Sequence, residues 1–321
     1  MLRKATSLLK SIVRESLQAK GFVYSSDVGP ADFRGLVEFP WDALERTNRC
    51  PILFDVPLER CRGLGLMAFS CSKDSSHPYI RTLQDYLSGK VTVYSDSALK
   101  AYYMNFQPKI GSELLGISPT ENKLLLKPVL WFTEPWIASP SRREEKSKIR
   151  IMRNESSDHG LSERSGGEWN HFGPVSDDRG KLEFRRLISV MASIKATGYV
   201  RTNGSDGDIC GEILVRDNDY RIKIIRGQHR ICALSASGHA KAPVRIDVNK
   251  WGVIRREDAE YWPAVRSGAF SPAQAREVFD RVFEGRQPSS YLIPMRNQSE
   301  SGFVEHGKQP APADLGGNNG L

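Results

Sequence analysis

The chain has 321 residues, of which 39% are hydrophobic, and its formal net charge is +8. This length and apolar content suffice for two domains with buried cores. The longest apolar run, 124–132, is interrupted by Lys127 and is much too short to span a membrane. Lys10 and Arg14 interrupt the first apolar stretch, which argues against a signal peptide. We therefore expect a cytoplasmic protein with no membrane span, whose positive charge favours polyanionic partners.

The five cysteines are spread along the chain without any C-x-x-C pair. Neither a disulfide framework nor a zinc site is therefore predicted, which fits a reducing compartment.

Residues 1–20 are predicted to form a basic amphipathic helix, because apolar residues from Leu8 to Leu17 recur at helical spacing. Its apolar face suits packing against the rest of the protein, with the basic face in solvent. The same pattern also suits an anionic membrane surface. Both interpretations are open at this stage.

Residues 21–138 combine short strands and helices and predict an N-terminal mixed α/β domain of unknown type. The expected strands are 52–56 and 91–94, and the expected helices are 79–87 and 98–106. Aromatic residues between these elements suit a substrate pocket, although aromatic side chains more often fill a core.

Changes in composition predict where the domains end. Residues 139–167 are rich in Ser, Arg, Glu, Lys and Gly, and residues 286–321 are rich in Pro, Gly, Ser, Gln and Asn. Such segments bury too little apolar surface to fold alone, so we expect a polar linker and a disordered tail. Between them lies a second domain, 168–285.

The second domain begins with well-defined elements. Apolar spacing predicts a helix over 181–195 that ends at Gly198. Two alternating stretches, 212–215 and 220–225, flank the turn 216–219, in which Asp and Asn tolerate positive φ. A β-hairpin is predicted here, and the alternation of its second strand is that of a half-buried strand.

The hairpin leads directly into Gly227, and a short helix then runs to Gly238. Glycine lets the backbone approach a ligand closely, and the N–H groups of the first helical turn point toward that ligand. Arg230 adds a forked cation. This order of strand, glycine and helix suits a phosphate. The plainer interpretation is a glycine turn whose arginine makes a structural salt bridge.

Residues 175–250 resemble the ParB and sulfiredoxin superfamily in the complete series of helix, hairpin, G-x-x-R turn and short helix. The resemblance implies an α/β (α+β) nucleotide-binding fold that binds ATP or CTP with Mg²⁺, and it includes a free serine kinase among the relatives. The residues expected to bind the nucleotide are Arg226, Gly227, Gln228, His229 and Arg230.

Departures from the family pattern restrict the function. Sulfiredoxin carries its reactive cysteine where this chain has Gln228, so sulfinic acid repair is not expected. Arg226 replaces the Asp that the serine kinase places before the glycine. Cys232 follows among apolar residues, which indicates a small buried side chain. No helix-turn-helix is recognisable, so any nucleic-acid binding should be weak and non-specific.

Two functions fit these observations. In the first, the protein is a phosphotransferase or NTP hydrolase that moves a phosphoryl group to a small acceptor, with Glu183 as the catalytic carboxylate. An acidic residue in a first helical turn also simply favours the helix dipole. Asp247 and Glu257 are weaker candidates for this role. In the second, nucleotide binding is a switch that controls a nucleic-acid or protein partner. Residues 169–172 suit stacking on a base or substrate as well as ordinary loop packing.

Overall fold

Three predicted segments lie outside the residues that the structure describes: the helix at 1–20 apart from Ser16, the linker at 139–167 and the tail beyond residue 291. The computed structural model describes Ser16 and residues 29–47, 50–118, 134–138, 171–201, 207–247 and 252–291.

One mixed sheet contains the eight described strands: β1 (Ala31–Asp32), β2 (Ile52–Pro57), β3 (Cys61–Gly63), β4 (Phe69–Ser70), β5 (Ile209–Arg216), β6 (Asp219–Arg226), β7 (Lys241–Ile246) and β8 (Val253–Arg255). Its order is β1-β2-β7-β5-β6-β3-β4. β7 pairs with the first part of β5 and β8 with the second part, so both use the same edge of that strand.

The described helices are α1 (Pro40–Arg46), α2 (Pro78–Leu87), α3 (Ala98–Asn105), α4 (Gly111–Leu115), α5 (Asp177–Thr197), α6 (Gln228–Ala236), α7 (Pro263–Arg266) and α8 (Pro272–Glu284). Short 3₁₀ helices cover Leu58–Arg60, Gly65–Met67, Tyr94–Asp96 and Arg256–Tyr261. The molecule is therefore mixed α/β, as the sequence predicts.

Strands from both sides of the predicted linker lie next to each other in the sheet. β2 runs antiparallel to β7 with Phe54 opposite Val244, and β3 runs parallel to β6. The residues predicted as separate domains, 21–138 and 168–285, thus contribute to one sheet rather than to two sheets of their own. The sequence did not predict this arrangement, because it depends on the pairing of strands that are far apart in the chain.

Apolar layers cover both faces of the sheet. One layer contains α2, α3, α5 and α6, and its buried side chains include Tyr79, Leu187 and Ile222. The other contains α8, the 3₁₀ helix before it and Trp136, packed on Leu214. The central strand β5 is consequently buried on both sides along nearly its whole length, whereas β7 alternates between buried and partly exposed residues.

The predicted hairpin is formed by β5 and β6. Asp217 in its turn has a φ of +54°, and Tyr220 and Ile222 face the core. On the opposite face Asp219, Arg221 and Ile225 are partly exposed, as a half-buried strand predicts, but one residue there is buried. Lys223 on that face is only 5% exposed.

α5 begins one turn earlier than predicted, because the Ser176 side chain accepts a hydrogen bond from Arg179 N at 3.3 Å. Gly198, with a φ of +71°, follows its last residue. α8 begins with a complete capping box between Ser271 and Gln274 and ends at Gly285. Both helices therefore begin after a capping serine and end at a glycine.

The predicted strand at 91–94 is wrong. Lys90 and Val91 both donate their N–H groups to Asp85 O, at 2.9 and 3.2 Å, so the chain wraps around the end of α2. A 3₁₀ turn follows at Tyr94–Asp96. Backbone groups used in this way cannot join a sheet.

Residues 286–291 were expected to begin the disordered tail, but they pack on the molecule. The ring of Tyr291 lies 5.6 Å from that of Phe69 and 5.5 Å from that of Phe106. Ser290 Oγ donates to Glu113 O at 2.7 Å. In the part of the chain that the structure describes, no helix is long and apolar enough to cross a membrane.

Candidate functional site

The turn at the start of α6 depends on a glycine. Gly227 has a φ of +81° and is the N-cap of the helix. A Cβ at this position would lie 3.0 Å from Ile209 Cα, so the turn packs directly on the first residue of β5. Both the positive φ and the close backbone approach require glycine.

Gln228 connects the turn to the segment after β3. Its Oε1 accepts the Leu64 N–H at 3.1 Å, and its Nε2 donates to Ile224 O at 2.7 Å. Leu64 has a φ of +55°, a left-handed conformation that costs free energy for a side chain of this size. The Gln228 side chain was expected at the nucleotide, but it holds this strained loop against the turn.

His229 and Glu183 are in direct contact. His229 Nε2 lies 2.9 Å from Glu183 Oε2, and the imidazole stacks on the Tyr79 ring with centroids 5.3 Å apart. Helix α5 therefore brings the predicted catalytic carboxylate to the predicted nucleotide turn.

The Glu183 carboxylate is fully buried among cations. Arg179 Nη2 lies 3.3 Å and Arg186 Nη1 3.1 Å from Glu183 Oε1. Burial alone would raise the pKa of Glu183, but the hydrogen bond with His229 and the two guanidinium groups outweigh it and lower the pKa to about 2. A carboxylate this acidic accepts protons poorly near neutral pH, and it suits a positioning role better than that of a general base.

A cluster of arginines lies on the other side of the turn, around Asp208. The buried Asp208 carboxylate accepts Arg201 Nε at 2.5 Å, and Arg245 Nη1 lies 3.5 Å from it. Arg230 Nη1 donates to Asp208 O at 3.4 Å. Two guanidinium groups thus share the Asp208 carboxylate, and Arg230 binds the backbone carbonyl of the same residue, which gathers three cations beside the helix N-terminus.

Asp208, Arg201 and Arg245 are absent from the residues predicted by sequence. They come from the start of β5, the loop after α5 and the end of β7, and only the sheet brings them together. The sequence does contain one signal for Arg245: it lies between apolar residues in a strand with alternating burial, which indicates a partly exposed side chain on the sheet. Arg226, which was predicted, is exposed at the end of β6, opposite Cys210.

His171 adds a second histidine to the region, from the predicted stacking segment 169–172. Its carbonyl accepts the Tyr102 hydroxyl at 2.5 Å, and a Cβ on Gly65 would lie 3.1 Å from its Nδ1. Burial lowers the pKa of His171 to about 4, so its ring is neutral at pH 7. Its neighbour Phe172 packs in the core, as ordinary loop packing predicts.

A third histidine, His77, is buried under α6 and pairs with Cys232. His77 Nδ1 accepts the Tyr79 N–H at 3.2 Å, so Nε2 carries the proton and faces Cys232 Sγ at 3.5 Å. Burial lowers the pKa of His77 to about 3 and raises the pKa of Cys232 well above its usual value. A neutral imidazole beside a thiol is a packing arrangement, in agreement with the predicted role of Cys232.

Carboxylates near the turn are already neutralised. Asp208 is bound by two arginines, and Glu183 by two arginines and a histidine. Among the described residues, no group of three or more His, Cys, Asp or Glu side chains could hold a metal ion. The carboxylates of Asp208 and Glu183 are therefore not suited to bind Mg²⁺. A Mg²⁺ ion that arrives bound to nucleotide phosphates would not need these carboxylates as ligands.

The weaker carboxylate candidate Glu257 lies far from the turn. Its Oε1 accepts the Asp217 N–H at 3.3 Å, at the hairpin end of β5 and β6. The neighbouring Arg256 forms a two-pronged ion pair with Asp280 of α8, at 2.7 and 2.8 Å. Asp247, the other weaker candidate, is buried directly after β7.

Comparisons with known proteins give no assignment: no family model matches the sequence, no curated protein is similar to it, and no solved structure is similar to its fold.

Proposed function

We propose that this protein binds ATP, CTP or another nucleoside triphosphate at Gly227–Arg230 and transfers a phosphoryl group to a small acceptor. The observation that carries the proposal is the convergence of Arg201, Arg230 and Arg245 beside the N-terminus of α6. The ParB-like series of elements supports the same site.

The charge balance favours a polyanion. Arg201 and Arg245 share the single carboxylate of Asp208, which fixes both guanidinium groups while leaving net positive charge. The side chains of Arg201 and Arg245 are 20% and 21% exposed, so ligand can reach them but water screens them only in part. Planar guanidinium groups bind phosphate oxygens in pairs, which makes a phosphate chain the best match.

The backbone favours the same ligand. The first N–H groups of α6 have no partner within the helix, and its dipole places partial positive charge at this end. Gly227 supplies the positive φ that opens this turn, and its missing side chain lets the turn pack on Ile209. A phosphate at this position would gain backbone and side-chain hydrogen bonds together.

In this proposal Glu183 acts through His229. Its carboxylate holds His229 Nε2 at 2.9 Å and thereby sets the orientation of the ring beside the phosphates. Phosphoryl transfer depends mainly on positioning and charge neutralisation, so a fixed imidazole and several guanidinium groups are the parts it requires.

Binding and turnover test the proposal separately. Calorimetry with ATP and CTP should show binding to the wild type, a loss of about tenfold or more in Arg230→Ala and Arg245→Ala, and no change in Arg276→Ala. Arg276 is the matched control because it pairs with Glu260 on another surface. Transfer of a labelled γ-phosphate to small molecules from cell extract then measures turnover. Absence of binding by every nucleotide would overturn the proposal.

The second candidate function is a nucleotide-dependent switch. The observation that favours it is the Gln228 side chain, which joins the turn to the strained loop at Leu64. A ligand that shifts α6 would pull on this loop. Nucleotide-dependent protection of residues 63–68 from hydrogen exchange, without phosphate transfer to any acceptor, would favour the switch over the enzyme.

A further inference from the structure

A cavity of about 200 Å³ lies at the end of the sheet opposite to the proposed nucleotide turn. Tyr220, near the start of β6, lines it, whereas Gly227 follows the end of that strand. A strand advances about 3.4 Å per residue, so the cavity and the turn lie about 20 Å apart. The walls include Glu38, Phe39, Asp55, Arg60, Tyr220 and Lys241.

The floor of the cavity is aromatic and firmly packed. Tyr220 is 1% exposed, and its ring contacts those of Phe39 and Trp41 with centroids 6.2 and 5.8 Å away. Its hydroxyl donates to Glu38 O at 3.5 Å. Burial raises the pKa of Tyr220 to about 12, so the phenol stays neutral. Such a floor does not collapse when the cavity holds only water.

One cation in the wall is held rigidly. Arg60 Nη1 binds Asp219 Oδ1 at 2.5 Å, and its guanidinium carbon lies 4.6 Å from the centroid of the Tyr220 ring. This combination of ion pair and cation–π contact fixes the guanidinium group at the cavity.

Two oppositely charged residues in the wall, Asp55 and Lys241, do not form a salt bridge with each other. Asp55 on β2 is opposite Pro243 on β7, and Lys241 lies two residues from Pro243. Asp55 and Lys241 are therefore diagonal neighbours on one face of the sheet, a spacing of about 7–8 Å or somewhat less between Cβ atoms. Among the described residues, neither side chain makes a hydrogen bond or a salt bridge, and the charge interaction of Asp55 is with Arg34.

The volume limits what could bind. Pockets for drug-sized ligands range from roughly 300 to 1,000 Å³, and one water occupies about 30 Å³ of liquid. A cavity of about 200 Å³ therefore replaces roughly six or seven waters and is too small for a nucleotide. A compact polar molecule fits these dimensions.

We propose that this cavity is a binding site for a small zwitterion of the α-amino acid class. Its ammonium group would pair with Asp55, and its carboxylate would lie between Lys241 and Arg60. A molecule whose ammonium and carboxylate groups are attached to the same carbon can pair with both side chains at once, which a singly charged ligand cannot do. The site is independent of the proposed nucleotide turn.

Titration calorimetry and NMR with glycine and L-alanine test the site, with acetate and methylammonium as singly charged probes. The amino acids should bind the full-length protein, and each singly charged probe should bind at least tenfold more weakly. Asp55→Asn and Lys241→Met retain the shapes of the side chains and remove one charge each, so each should weaken glycine binding about tenfold. Arg230→Ala should leave glycine binding unchanged.

Matched controls are Asp258→Asn and Lys73→Met, which make the same charge changes at exposed positions. The site would be overturned if glycine did not bind at tens of millimolar. Equal binding of acetate and glycine, or equal losses in the control variants, would also overturn it. Thermal melts of all four variants identify any loss that comes from unfolding, and resonance shifts confined to Tyr220 and its neighbours would locate the ligand.

Discussion

Glu183 Oε2 and His229 Nε2 meet at 2.9 Å, although 46 residues separate them along the chain. The contact joins helix α5, which contains Glu183, to the turn that begins α6. Because Glu183 also binds two arginines, a change at this carboxylate affects the charge and the geometry of the whole region.

Replacing Glu183 with Gln should separate nucleotide binding from turnover. The amide keeps the shape of the side chain but loses the charge that holds His229, Arg179 and Arg186. We expect nucleotide affinity to persist and phosphate transfer to fall by roughly two orders of magnitude, as for a group that has lost its correct position. Calorimetry and single-turnover transfer on the same preparation measure both quantities. An equal loss of binding and turnover would show that the carboxylate only maintains the shape of the turn.

Replacing Gly227 with Ala should destabilise the protein by roughly 1–2 kcal/mol or more. Part of the cost comes from the positive φ, and part from a Cβ placed 3.0 Å from Ile209 Cα. Gly238→Ala is the matched control, because Gly238 has a φ of +85° and open space around its Cβ position. Denaturant unfolding should therefore show a larger loss for Gly227→Ala than for Gly238→Ala. Equal losses would mean that the contact with Ile209 relaxes without cost.

The stability of the fold should decrease as the pH falls below about 6.5, the ordinary pKa of histidine. Burial lowers the pKa of His77 to about 3 in the folded state, so between these values the unfolded chain takes up a proton that the folded state excludes. The stabilisation is complete above pH 6.5 and is lost toward pH 3. His77→Asn, which retains an acceptor for Tyr79 N–H, should reduce this slope in unfolding free energy measured from pH 7 to pH 4. An unchanged slope would assign the acid sensitivity to other groups, such as His171.

Removing the buried lysine at position 223 should be among the most damaging single substitutions. Lys223 Nζ binds Glu212 Oε1 at 2.7 Å and also pairs with Glu134. Lys223→Met leaves the buried Glu212 and the partly buried Glu134 without this cation, which costs about 3–5 kcal/mol. Lys181→Met, at an exposed site on α5, is expected to change stability by less than about 0.5 kcal/mol. Adding Glu212→Gln to Lys223→Met should restore part of the loss.

Local signals predicted the local structure of this protein well. The hairpin, α5 and α6 follow from alternation, helical spacing and the glycine ends. The prediction of a strand at 91–94 was wrong. The residues suit a strand by composition, but the backbone at Val91 binds the end of α2 instead. That competition depends on tertiary contacts.

The candidate site was only partly predictable for the same reason. Gly227 and Arg230 are three positions apart in sequence and form a recognisable turn. Asp208, Arg201 and Arg245 reach this turn only through the pairing of β5 with β7 and the return of the chain after α5. No periodic pattern relates residues that meet across a sheet, so their charges appear in the sequence as ordinary polar positions.

The pairing of β2 with β7 imposes an order on the folding of the chain. When a ribosome has completed β2, the strand that will cover its edge is still about 190 residues away, since Phe54 must meet Val244. During synthesis at about 5–20 residues per second, the N-terminal half must wait roughly ten to forty seconds for its partner. We therefore expect nascent chains to depend on chaperones that shield an unpaired strand, and fragments that end before β7 to aggregate rather than fold.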